Sequence, residues 1–198
     1  MVKRRFYFIF TLKKVKSISI LFLSFIILAS CSDVKKSSQL ATIEDLTQKI
    51  QSIKQEVVEN RADSASSYAD KSEQIELRIK HNYFLDTIDM KFGSKMDRHK
   101  SMRKALAKLK TRYADVISGC DEMTESLRQL HHDIENGDGD RAKYAEYLNY
   151  EKTKFEQLEV LSKEYLESKK VNMATYEELH KELEDFSFKL QDENKKGK

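Results

Sequence analysis

Proline and tryptophan are absent from the 198 residues, glycine occurs five times and cysteine twice. Sandwiches, barrels and doubly wound sheets turn the chain about every ten residues, and Gly and Pro supply most of those turns. A chain this poor in both lacks the turns that such folds need, which leaves an all-α fold. Glycine-rich phosphate loops and glycine-flanked nucleophile turns become scarce for the same reason. The length suits one domain, or two small ones once a targeting peptide is removed, and excludes a multidomain enzyme.

Acid is absent from residues 1–30, which carry Lys3, Arg4, Arg5, Lys13, Lys14 and Lys16. The apolar stretch Ile18 to Ala29 that follows is too short to span a bilayer as a helix, so the segment reads as a secretory signal peptide over 1–30. It ends in Leu28-Ala29-Ser30-Cys31. These residues resemble the lipobox of bacterial lipoproteins: a branched apolar residue, two small ones and the obligatory cysteine. The resemblance covers residues 1 to about 35. It implies that Leu28, Ala29 and Ser30 are read by the signal peptidase, and that the thiol of Cys31 receives a diacylglycerol while its new amino group is acylated. Two or three chains make a stable anchor, whereas one holds only marginally. Ser32, not Asp, follows Cys31. In enteric lipoproteins that choice resembles the outer-membrane sorting pattern, which implies an outer membrane location facing the periplasm.

Removing the signal takes six of the 36 Lys and Arg and none of the 33 Asp and Glu, leaving 30 against 33. The basicity belongs to the signal, and the interspersed charges of the remainder lack the footprint of a nucleic-acid binder. With Cys31 acylated, Cys120 has no partner for a disulfide within the chain, so stability must come from side-chain packing.

Apolar residues in the rest of the chain fall on helical seams. Met102, Leu106, Leu109, Tyr113, Val116, Cys120, Met123, Leu127, Leu130 and Ile134 alternate steps of four and three, the spacing of a coiled-coil stripe. Tyr176, Leu179, Leu183, Phe186 and Leu190 repeat it. Leu148, Phe155, Leu158 and Tyr165 extend it upstream, with Glu151 intruding at one seam position and an eleven-residue stutter between Tyr165 and Tyr176. A weaker stripe runs through Ile43, Leu46, Ile50, Ile53 and Val57, then Tyr68, Ile75 and Ile79. Its middle, Asn60 to Ser67, is small and polar, so the helix is either thinly packed there or broken.

Two turns divide these stripes. Asn136-Gly137-Asp138-Gly139-Asp140 supplies a left-handed C-cap and then an N-cap, and Gly93-Ser94 begins a capping pattern with Asp97. The expectation is an elongated, up-down-up antiparallel three-helix bundle over 42–192, with helices of about 42–92, 95–135 and 140–192. Residues 31–41 then read as the lipidated cysteine with a flexible tether, and 193–198 as a disordered tail.

No metal ligand set or cofactor motif stands out. Di-iron bundles need Glu-x-x-His on two helices, and only Glu177-x-x-His180 fits. His131 and His132 are adjacent, about 100° apart on a helix, and cannot share an ion without distortion. Asn136, Asp138 and Asp140 match the start of a calcium loop, but Arg141 stands where glycine should bend the chain and Tyr147 where the bidentate glutamate belongs. Cys120 reads as a small buried hydrophobe on its seam. Tyr144, Tyr147 and Tyr150 recur every three residues, which keeps Tyr144 with Leu148 on the core stripe and swings Tyr150 about 120° away. Tyr147 and Tyr150 are therefore the candidate partner-binding residues, against the simpler reading that they pack under a neighbouring helix.

These features together favour a lipid-anchored, non-catalytic helical spacer, scaffold or adaptor of the bacterial envelope. In plan it is loosely similar to cell-wall-binding lipoproteins with a long-helix bundle after the lipobox. The expected partners are the membrane, through lipid on Cys31, and an envelope protein or the cell wall. Self-association through leftover apolar surface is compatible with the pattern. The alternative is a periplasmic holdase with helical arms, although such chaperones are typically soluble, basic and built on a strand base. A metal- or ligand-binding bundle is the third reading.

Overall fold

A computed structural model describes residues 34–84 and 89–196. The signal peptide, the Leu28-Ala29-Ser30-Cys31 box and Ser32 lie outside the described residues. Among the described residues the chain is helical with no strand: α1 spans 34–59, α2 Ala65–Asn82, α3 Met90–Asn136 and α4 Tyr144–Lys196, the last preceded by a short 3-10 turn at Arg141–Lys143. At 1.5 Å per residue α3 and α4 are about 70 and 80 Å long.

Side-chain pairs fix the directions. Tyr68 stacks on Tyr176 at 4.1 Å, Arg78 donates to Ser187 at 3.0 Å and Asn194 donates to the Asn82 carbonyl at 2.9 Å, so α2 and α4 run parallel. Lys95 pairs with Glu182 and Arg98 with Glu178, so α3 runs against α4. Lys36 donates to the Glu135 carbonyl and Lys54 pairs with Asp121, so α3 also runs against α1. The fold is the expected up-down-up bundle, with α1 and α2 forming the first arm. The α3 seam lies at its centre: nine of its ten apolar positions are buried, and Tyr113 is half-buried. The close approach of α4 to this seam uses Gly119, where an added Cβ would stand 3.0 Å from Leu158 Cδ1.

The first arm is two helices, not the one expected over 42–92. α1 stops at Asn60, whose amide and side-chain nitrogens both donate to the Glu56 carbonyl, at 3.0 and 2.9 Å. The Asn60 carbonyl is freed by the break and accepts from Tyr165 Oη at 3.0 Å. The run offers only the small apolar residues Ala62 and Ala65 to dock against the core, and α4 supplies the hydrogen bond that the next turn would have made.

The boundary expected at Gly93-Ser94 falls earlier. Asp89 is extended and its Oδ1 accepts from the Lys91 amide at 2.9 Å, while the Gly93 amide donates to the Asp89 carbonyl at 2.8 Å. Asp89 therefore caps α3, and Gly93 sits in its first turn in place of a start at 95. The other turn is as read: Gly137 adopts φ 73°, ψ 33°, the left-handed conformation that glycine reaches without a Cβ clash, and closes α3. Helix also replaces the expected tether from residue 34 onward and the expected tail as far as Lys196. Lys36 bonds across to α3, Leu40 packs on the core and Asn194 bonds to α2, so both ends are held by the bundle.

Leu127 is fully buried on the shared α3 stripe, while Leu77 is 41% exposed. Leu127→Ala should lower the unfolding free energy by about 2–5 kcal/mol, shifting the denaturant midpoint at unchanged slope, whereas Leu77→Ala should stay within about 0.5 kcal/mol.

Candidate functional site

The α3–α4 hairpin gathers the polar groups that the sequence singled out. The Asp133 carbonyl accepts from the amides of both Gly137 and Asp138, which folds the chain back on the last turn of α3. Tyr144 is the first residue of α4 and closes the turn from the other side: its hydroxyl donates to the Asp133 carbonyl at 2.8 Å and lies 2.5 Å from the Asp138 carbonyl. Burial pushes this phenol above its usual range; Arg141 opposes that, and Asp133, Asp138 and Asp140 add to it.

Asn136, Asp138 and Asp140 do not converge as a calcium loop would require. Asn136 donates back to the His132 carbonyl at 3.1 Å, and Asp140 caps the 3-10 turn by accepting from the Ala142 amide at 3.1 Å. The residues that do meet are His132, Asp133 and Asp138. His132 Nδ1 is 3.7 Å from Asp133 Oδ1 and 3.9 Å from Asp138 Oδ2, and the three ligand atoms lie within 4.8 Å of one another. All three side chains are more than half exposed, so water competes for every donor. Spacing alone did not reveal this trio, because the left-handed glycine between its members returns Asp138 to the helix end.

On the outer face Tyr147 and Tyr150 are 43% and 63% exposed, and Lys154 Nζ stands 5.6 Å over the Tyr150 ring. The structure thus leaves both candidate aromatics accessible instead of covering them with another helix. On the side where α1 enters, a groove of about 330 Å³ is lined by Lys35, Lys36, Arg141 and Tyr144 among others. Lys35, Lys36 and Arg141 line it together with one acid, Glu135, and Arg141 Nε donates to the Gly137 carbonyl at 2.8 Å.

Elsewhere the candidates separate. Glu177 is exposed while His180 is half-buried, stacked on Tyr176 at 4.3 Å with Nε2 3.8 Å from Glu184, so the Glu177-x-x-His180 pattern builds no ligand pair. Cys120 is fully buried, and burial pushes its thiol up, against a lowering by Lys54 and a further rise from Asp121. A thiol so placed is a packing group, not a nucleophile. Glu151 is buried at its seam position; Oε1 accepts from Ser126 Oγ at 2.7 Å and Oε2 is 3.8 Å from Lys154 Nζ. No helix among the described residues is long and apolar enough to cross a membrane.

Replacing Tyr144 by Phe removes the hydroxyl that ties two turn carbonyls together. Amides of residues 133–140 should then exchange about tenfold faster, while Tyr150→Ser, at an exposed position, should leave the melting temperature unchanged. No protein-family model, curated protein or solved structure matches the chain.

Proposed function

We propose that the protein is a lipid-anchored lipoprotein of the bacterial envelope that works as a non-catalytic helical spacer or adaptor. The observation that carries the reading is the position of α1. Its described residues begin at 34, three residues after Cys31, and lie beside the α3–α4 hairpin through Lys36 and Glu135. Lipid on Cys31 would hold that end of the bundle at the bilayer, with the α2–α3 turn about 70 Å away.

A non-catalytic role is supported by how the donors are distributed. Enzymes hold polar groups in a water-poor recess, whereas the converging trio His132, Asp133 and Asp138 is shallow and solvated. The accessible Tyr147 and Tyr150 are the surface we assign to a partner, an envelope protein or the cell wall. The outer membrane, facing the periplasm, is the location that Ser32 favours.

Growth of an expressing bacterium with labelled fatty acid tests the anchor: the wild type should carry label and sediment with membranes, and Cys31→Ser should lose both. Label retained by Cys31→Ser would end the lipoprotein reading. For the adaptor role, a photocrosslinking residue at position 150 should yield one discrete adduct in cells, and a diffuse or empty result would remove Tyr150 from the partner surface.

A further inference from the structure

The apolar interior is not continuous. One cluster extends from Ile43 near the hairpin to Met102 and Tyr176; a second, smaller one joins Ile75, Ile79, Leu179 and Leu183 to Tyr83, Phe92 and Phe186 at the far end. A polar layer stands between them. Ser72 and Glu76 occupy successive turns of α2, and the parallel register set by Tyr68 on Tyr176 and Arg78 on Ser187 brings Ser72 level with His180 of α4. From α3, His99 enters at the same level, with Nδ1 3.3 Å from Glu76 Oε1.

Ser72 and His99 are fully buried, and among the described residues Ser72 Oγ, both His99 nitrogens and His180 Nδ1 have no hydrogen-bond partner. The His99–Glu76 approach is close but off the line that a hydrogen bond needs. A buried polar group without a hydrogen bond costs about 1–3 kcal/mol, so this level is held less firmly than the apolar layers on either side of it. The ion pairs that bridge it outside, Lys95–Glu182 and Arg98–Glu178, are exposed and contribute little.

We propose that this layer is an acid-operated joint, at which protonation of His180 undocks the far-end segment while the hairpin-end segment stays folded. An imidazolium there would face His99 of α3 and Lys71 and Arg78 of α2, with Glu184 of its own helix as the near counter-charge. Glu76, the remaining acid of the layer, is engaged by His99 and by Arg103, whose Nε lies 3.0 Å from it.

The direction follows from linkage. Burial holds the His180 imidazole below its usual range; Glu184 opposes this, and His99, Lys71 and Arg78 add to it. The folded chain therefore binds this proton less readily than the unfolded one. The stabilisation is complete above about pH 6.5 and is lost as the pH falls below that value. At Glu76 burial raises the carboxyl, but His99 and Arg103 together outweigh it and bring it below its usual range. Its contribution is complete above about pH 4.5 and fades below, so Glu76 reinforces the loss at lower pH and does not oppose it.

Hydrogen exchange of the intact, detergent-solubilised chain at pH 7.5 and 5.5, corrected for intrinsic rates, tests the joint. Peptides covering 75–82, 90–98 and 180–196 should lose about tenfold protection at the lower pH, with 106–134 unchanged. His180→Phe keeps a ring on Tyr176 and carries no proton, and should abolish the response. Joint loss in both segments, no loss in either, or an undiminished response in His180→Phe overturns the proposal. Should the variant undock at every pH, the wild-type ring decides by NMR titration: proton uptake at His180 must coincide with far-end undocking, and titration without undocking overturns it.

Discussion

Everything in this bundle depends on the α3 seam being covered along its whole length. A lone helix with such a stripe would leave its apolar face in water, so α3 is stable only where α1 or α2 lies on one flank and α4 on the other. Ile50 and Val57 of α1, and Leu158 and Tyr165 of α4, are buried in one cluster with Leu106, Leu109, Val116 and Leu127. Among the described residues no disulfide assists, and Cys120 is a buried thiol on the same seam. The break in the first arm is tolerated because it interrupts an outer helix, not α3. Val57 and Ala65 are buried on either side of it, and Tyr165 caps the exposed carbonyl between them.

Polar residues on the seams differ in how they are satisfied, and the difference grades the rod along its length. Ser162 and Ser187 each donate to the carbonyl three residues back, at 2.9 and 2.7 Å, which hides the hydroxyl within its own helix. Ser187 also accepts from Arg78, so it helps set the parallel register of α2 and α4. Glu151 is supported on one oxygen by Ser126. Among the described residues, Glu151 Oε2 also lacks a hydrogen bond, but at the Ser72–His99 level three such atoms gather on two fully buried residues, with His180 Nδ1 beside them. A cluster that is satisfied fixes register, and one that is not lowers the local barrier to opening.

Periodicity made the helices, their directions and nearly every core residue legible, because steps of three and four are a direct imprint of one buried face. It was less informative where an element ends. Gly93-Ser94 looked like a turn because glycine breaks helices in isolation, yet Asp89 caps α3 earlier and the docked helix accommodates Gly93. The apolar stripe of α3 starts at Met102; His99, three residues earlier, keeps the same spacing and is as deeply buried, but a polar side chain carries no mark of a stripe. Likewise His132, Asp133 and Asp138 are neighbours only through the left-handed turn at Gly137, a relation that no fixed spacing encodes. Residues that sit on a stripe are readable from one chain. Residues brought together by a turn, or by three helices at one level, need the register.

The two ends of the rod also differ chemically, and the difference bears on how it can act. The hairpin end is hydrogen-bonded and mixed in charge, with Lys35, Lys36, Arg141 and Glu135 around a groove, Asp133, Asp138 and Asp140 in the turn, and Tyr144 locking it. At the opposite end Tyr83 stacks on Phe92 at 5.2 Å, Phe92 meets Phe186 at 5.0 Å, and Phe84 and Met90 stand 75% and 85% exposed. The hairpin turn closes on itself through hydrogen bonds to its own carbonyls, whereas the far end is held by the Arg78–Ser187 and Asn194–Asn82 hydrogen bonds and by an aromatic cluster separated from the main core by a polar level. Thermal or acid opening should therefore begin away from the hairpin, since loss of the small cluster leaves the long one intact. If the hairpin end is the anchored one, the end that opens most readily is also the end held farthest from the bilayer. A tethered rod of that kind can change its reach without releasing its attachment.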